Sequence, residues 1–92
     1  MTTTAIANRI PLPRKLTAPV QHRCILITSY DHVPHRLIDI EQMDDELSIN
    51  MIMEQIELHY ISLKYLYQSK MRVFIGMIEP DQTVFIYNEI NI

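Results

Sequence analysis

The sequence predicts an α+β fold, and three observations carry that expectation. Two pairs of apolar, β-branched runs, "RCILITSY" with "HRLIDI" and "MRVFIGMIE" with "TVFIYNEINI", are each joined by a short segment containing Asp and Pro. Between the pairs, "INMIMEQIELHYISLKYLY" at 49–67 spaces its apolar residues by three and four and holds neither Gly nor Pro. Ahead of them, residues 1–20 show no period. Strands joined by tight turns pair antiparallel, and a helix set between two hairpins has their sheet to lie on. The expected architecture is ββαββ: a mostly antiparallel four-stranded sheet with one long helix, preceded by a disordered or extended N-terminal arm. Two units follow, 1–20 as a flexible basic Pro-containing arm and 21–92 as a single α+β domain.

The arm, "MTTTAIANRIPLPRKLTAPV", holds three of the five prolines. Its "PLPRK" hints at a polyproline II ligand without completing a PxxP pattern, so linker is the plainer reading. From His22 the pattern changes. Residues 22–30 form a continuous apolar run of the kind a buried strand shows, Asp31 and Pro34 supply turn chemistry, and 35–40 alternate polar with apolar. Asp39, Glu41, Asp44, Asp45 and Glu46 then crowd where a helix begins, and negative charge is favourable there against the helix dipole. In the second hairpin, Pro80 takes the second position of a turn and Asp81 follows. The sole glycine, Gly76, lies inside the third of the four strands, where glycine marks a bulge or a close backbone approach.

The helical stretch carries twelve large apolar side chains in nineteen positions. At ~100° per residue they separate into two stripes. Ile49, Ile52, Met53, Ile56, Tyr60, Leu63 and Tyr67 make the first, with the spacing of a core face. Leu47, Met51, Leu58, Ile61 and Tyr65 make the second, roughly opposite, and Met43 continues it backwards. A sheet can bury only one, so the second needs a cover: the arm, a second copy, or another protein. An alternative ends the helix near His59 and lets a strand follow, since Ile61, Leu63, Tyr65 and Tyr67 also alternate.

Composition bounds the function. A chain of 92 residues buries only ~60 to 65 % of its unfolded surface, which favours help from a partner. The net charge of −3 is uneven: 1–20 carry three cations and no anion, whereas 21–92 carry five cations against eleven anions. An acidic body offers few contacts to phosphates, so nucleic-acid binding is expected only through the arm, if at all. Charged and polar residues interrupt the greasiest segment, and no membrane span is expected. One cysteine, Cys24, forms no internal disulfide, and no signal-peptide core lies near Met1, so the cytoplasm is the expected compartment. The acid-free, Thr-rich start also matches the composition of an organelle transit peptide, although Pro11, Pro13 and Pro19 break the helix such peptides need.

Chemistry is thinly signalled. One glycine rules out a Walker loop and a dinucleotide fingerprint. His22, Cys24, His32 and His35 fall within fourteen residues, the one grouping that suggests a metal-dependent or thiol enzyme. In a hairpin bent near 32–34, however, Cys24 stands ~25 Å of extended strand from the turn, and a thiol in an apolar strand is inert. No catalytic residue, metal or cofactor is assigned. The expected function is that of a small non-enzymatic regulatory or adaptor protein that binds another protein, as a homodimer. Its partner-binding residues are Leu47, Met51, Leu58, Ile61 and Tyr65 on the second stripe, with Phe85 and Tyr87 on the last strand, whose edge has no proline or lysine to block strand addition.

Overall fold

The structure, a computed structural model, describes residues 8–91. The chain is α+β. Its strands are β1 (Arg9–Pro11), β2 (Arg23–Thr28), β3 (Pro34–Asp39), β4 (Arg72–Ile78) and β5 (Thr83–Ile90), and its helices are α1 (Ile49–Leu58) and α2 (Leu63–Gln68). All strand pairs are antiparallel, in the order β1-β5-β4-β2-β3. Five strands replace the four expected. The additional one comes from the region read as an arm: Arg9, Ile10 and Pro11 pair with Phe85, Val84 and Thr83. A turn of 3₁₀ helix, Arg14–Leu16, follows it. Residues 1–7 of the expected arm lie outside the described residues.

β2 is an interior strand, between β4 and β3, and is covered on both faces, which is why "CILI" is apolar at every position. Its alternation divides two clusters. Ile25 and Ile27 join Ile38, Ile40, Val73 and Ile75 beneath the helices, which contribute Ile52, Ile56 and Leu66, with Ile61 from the link between them. Cys24 and Leu26 point the other way and join Ile10, Phe74, Ile78 and Val84, with Leu12 and Ala18 packed against them. The second cluster is covered because the sheet curls and residues 10–18 close over it.

Both hairpins use the same turn. Ser29 donates its N–H to the Val33 carbonyl and His32 donates to Ser29, while Glu79 donates to Thr83 and Gln82 to Glu79. Each loop ends in a residue with positive φ, His32 at 69° and Gln82 at 62°, the position that glycine usually fills before a G1 bulge. Gly76 sits at a second bulge, where the β4–β5 register steps between Ile75 and Gly76. A Cβ there would lie 2.3 Å from the Phe85 carbonyl oxygen and 2.7 Å from Val84 Cγ1. The close approach inferred from the sequence is real.

The single long helix is corrected to two: the first does stop near His59, as the alternative had it, but a second helix follows instead of a strand. α1 starts at Ile49, where Ser48 Oγ accepts the Met51 N–H at 3.1 Å. It ends because Tyr60 adopts φ 61°: the Tyr60 N–H donates to Glu57 and the Ile61 N–H to Ile56, a Schellman closure. Ser62 then caps a new helix, accepting the Tyr65 N–H at 3.1 Å. α2 ends the same way, with Lys70 at φ 54°. Ile52 and Ile56 anchor α1, and full burial of each contributes ~1.5 to 3 kcal/mol. The acidic cluster is corrected as well. Asp39 ends β3 and the other four lie in the loop before α1, whose first turn holds no acid. That loop wraps round Arg23, whose guanidinium donates to the carbonyls of Ile40, Glu41, Met43 and Asp44.

Candidate functional site

Breaking the helix at 59–62 builds the most distinctive surface of the molecule. The α1–α2 corner stands off β3, and the gap is an open cleft of about 510 Å³. Ile27, Ile61, Leu66 and Met71 floor it, and all four belong to or pack on the core beneath the helices. Tyr60 and Tyr65 form one wall, 97 % and 59 % exposed, and His35, Arg36 and Ser62 complete the rim. One Arg36 Nη donates to the His59 carbonyl at 3.1 Å, which places a cation at the C-terminal end of α1, where the helix dipole favours it. No carboxylate lines the cleft.

The sequence-assigned partner residues divide among three places. Ile61 and Tyr65 meet in this cleft, but Ile61 is floor, not exposed stripe. Leu47 is half-buried against the core, Met51 is half-buried on α1, and Leu58 stands 62 % exposed at the end of α1. The continuous second stripe does not exist, because Tyr60 turns the chain before the stripe can run on. Tyr60, placed by the helical wheel on the core face, is instead the most exposed aromatic residue described.

Phe85 and Tyr87 do come together, edge to face with centroids 5.6 Å apart, on sheet beyond the reach of the helices. The Tyr87 hydroxyl donates to Met77 Sδ at 3.5 Å, and the Arg9 guanidinium lies 5.1 Å above the Phe85 ring and 2.9 Å from Glu79. The β5 edge expected to accept a strand is already taken over Thr83–Phe85 by β1, and the Ile86 N–H donates to the Asn8 carbonyl. The open edge of the sheet belongs to β3 instead.

His22, Cys24, His32 and His35 are dispersed. His22 Nδ1 meets Asp39 Oδ2 at 2.8 Å. Partial burial pushes the Asp39 carboxyl up, but the Glu41 N–H and His22 outweigh it and hold it below its ordinary range. Cys24 is fully buried, and burial first, then the Asp39 charge, pushes its thiol up to about 12. It is protonated at neutral pH and out of reach of a substrate. His32 stacks on Phe74 at 5.8 Å and meets an Arg72 Nη at 3.0 Å, while Arg72 grips Glu89 in a two-point ion pair of 2.8 and 2.7 Å. Hydrogen bonding from Arg72 is the main cause of the Glu89 carboxyl lying below its ordinary range. That cluster ties the first hairpin turn to β4 and β5. His35 alone reaches the cleft. Among the described residues no three His, Cys, Asp or Glu side chains converge as a metal site would require, and no helix is long and apolar enough to cross a membrane.

Comparison with protein-family models, with curated proteins and with solved structures finds no match to this chain.

Proposed function

We propose that the chain is a small regulatory or adaptor module that acts by binding another protein, with no chemistry of its own, and that the cleft between β3 and the α1–α2 corner is its recognition surface. One observation carries this reading. Two tyrosines are held out in solvent beside an apolar floor, and one of them, Tyr60, sits in a left-handed conformation that tyrosine rarely adopts. That conformation closes α1 and carries the Tyr60 ring out over the cleft, and Tyr and Arg are among the side chains most enriched where interfaces draw their energy.

The test is a selection from a random peptide display library with the full chain as bait, repeated with Tyr60→Ser plus Tyr65→Ser. Peptides enriched by the wild type that no longer bind the variant support the proposal. No enrichment, or enrichment that ignores the two tyrosines, overturns it.

A second reading, homodimerisation, draws on a different observation: Phe85, Tyr87 and Met77 form a partly exposed apolar patch on the sheet half that the helices leave open. Light scattering of the wild type against Phe85→Glu plus Tyr87→Glu decides it. A concentration-dependent dimer lost in the variant is the expected outcome, and a wild type monomeric throughout rejects it.

A further inference from the structure

Resting on that protein-binding reading, we propose that the cleft receives an extended acidic segment of a partner protein, which adds to the sheet as a strand along the outer edge of β3. Two features that arise from different parts of the chain meet there. The first is backbone. β3 is the last strand of the sheet, and the Ile40 N–H donates to the Arg23 carbonyl at 3.0 Å. Antiparallel ladders alternate, so Ile38 and Arg36 also turn their amide groups toward β2 while those of Leu37 and Asp39 turn outward. Outward N–H and C=O groups on an edge strand are the template for strand addition.

The second feature is side-chain chemistry. The β2–β3 register steps between Ile27 and Thr28, so that Ile27 pairs with Arg36, Thr28 pairs with Pro34, and His35 is the extra residue of a bulge. Both His35 and Arg36 therefore border the cleft instead of pointing to opposite faces. Two nitrogen-bearing side chains and no carboxylate surround an apolar floor, on a body whose residues 21–92 carry eleven anions against five cations. Charge complementarity thus selects an acidic ligand. Tyr60 and Tyr65 offer ring faces to apolar side chains between the acids. A strand presents every second side chain to one face, so a few alternate side chains would fill the cleft while the backbone pairs with Leu37 and Asp39. The bulge at His35 shortens the edge and disfavours copy-to-copy pairing, which points to a separate flexible segment as the occupant.

Fluorescence anisotropy on the full chain tests this with acetylated seven-residue peptide pools. One pool carries Asp or Glu at alternate positions with Val, Ile, Phe or Tyr between, and a second carries Lys in place of the acids. Two further versions of the acidic pool are N-methylated at one or the other set of alternate amides. The acidic pool is expected to bind, the Lys pool about tenfold or more weakly, and one N-methylated version about tenfold or more weakly, since it loses the ladder. His35→Glu and Arg36→Glu should each weaken the acidic pool about tenfold, with an unchanged melting curve showing that the fold is intact. Amide signals of Leu37 and Asp39 should shift on binding. Absence of binding, equal binding by the Lys pool, indifference to both N-methylation patterns, or displacement of the peptide by a second copy pairing at β3 would each overturn the proposal. A display selection that yields Tyr60-dependent peptides of other chemistry would keep the broader protein-binding reading and reject this one.

Discussion

The two edges of the sheet receive opposite treatment. On one, β1 lies along β5, its Ile10 is buried with Val84 and Ile78, and Pro11 ends the added strand. On the other, β3 ends the sheet beside a cleft with tyrosines standing in solvent. An unpaired edge invites aggregation, and chains commonly cover or blunt theirs. Here the first half of the β5 edge, Thr83–Ile86, is covered by chain drawn from the far end of the sequence, while the shorter β3 edge keeps outward amides behind Pro34 and a bulge. The contrast teaches that the two edges are built differently: chain from the far end of the sequence lies along one and leaves the other to a short, bulged strand.

The largest effect should come from damaging the closed side. Gly76→Ala places a methyl against the Phe85 carbonyl, where backbone must move, and should destabilise by about 3 kcal/mol or more in a denaturant titration. A loss below about 1 kcal/mol would mean that β5 and β1 shift together without cost.

Next, Ile10→Ala removes the one buried anchor of β1 and should cost about 2 kcal/mol, with new aggregation on warming as the β5 edge opens. An unchanged melting temperature would show β1 to be a dispensable strap, and the contrast between edges would weaken.

On the open side a substitution should stabilise. Tyr60→Gly relieves a left-handed residue that buries nothing and should add about 0.5 to 1 kcal/mol while lowering affinity for cleft ligands. A variant both more stable and equally good at binding would deny Tyr60 its role.

The smallest effect is electrostatic and again on the closed side. The Glu89 carboxyl lies below its ordinary value of 4.5 because Arg72 holds it, so its contribution is complete above that value and lost as the pH falls through and below it. Glu89 is about a third exposed, and solvent screens the pair. Acid titrations of the wild type and Arg72→Met should diverge at neutral pH and converge in acid. Curves that run parallel would remove the ion pair from the account.

Much of this fold was legible in the sequence, for local reasons. Asp31 with Pro34 and Pro80 with Asp81 marked both turns, continuous apolar β2 announced a central strand, and Gly76 marked its bulge. Two things escaped. β1 is three residues ending in Pro11, and what makes it a strand is β5, more than seventy residues away, so no local period reveals it. The second helix escaped: a stop near His59 stood only as an alternative with a strand after it, because the left-handed residue is Tyr60 where a glycine would have signalled a turn. Ser62 as the cap of α2 was the available clue. That one error exchanged inside for outside: the wheel buried Tyr60 and exposed Ile61, and the chain does the reverse. The cleft was invisible for the same reason β1 was, since His35 and Arg36 meet Tyr60 and Tyr65 only through the sheet.

Cys24 gives the molecule a reporter of its own opening. It is the only thiol in the chain, it has no solvent exposure, and it lies on β2 with Asp39 of β3 on one side and Gly76 of β4 on the other. It stands one strand in from the β3 edge, in the cluster that residues 10–18 close over. A thiol-reactive dye added to the native protein should therefore tag the chain only when β3 or β4 leaves β2 or that cover lifts, and the tagging rate reports how often this happens at any temperature without denaturant.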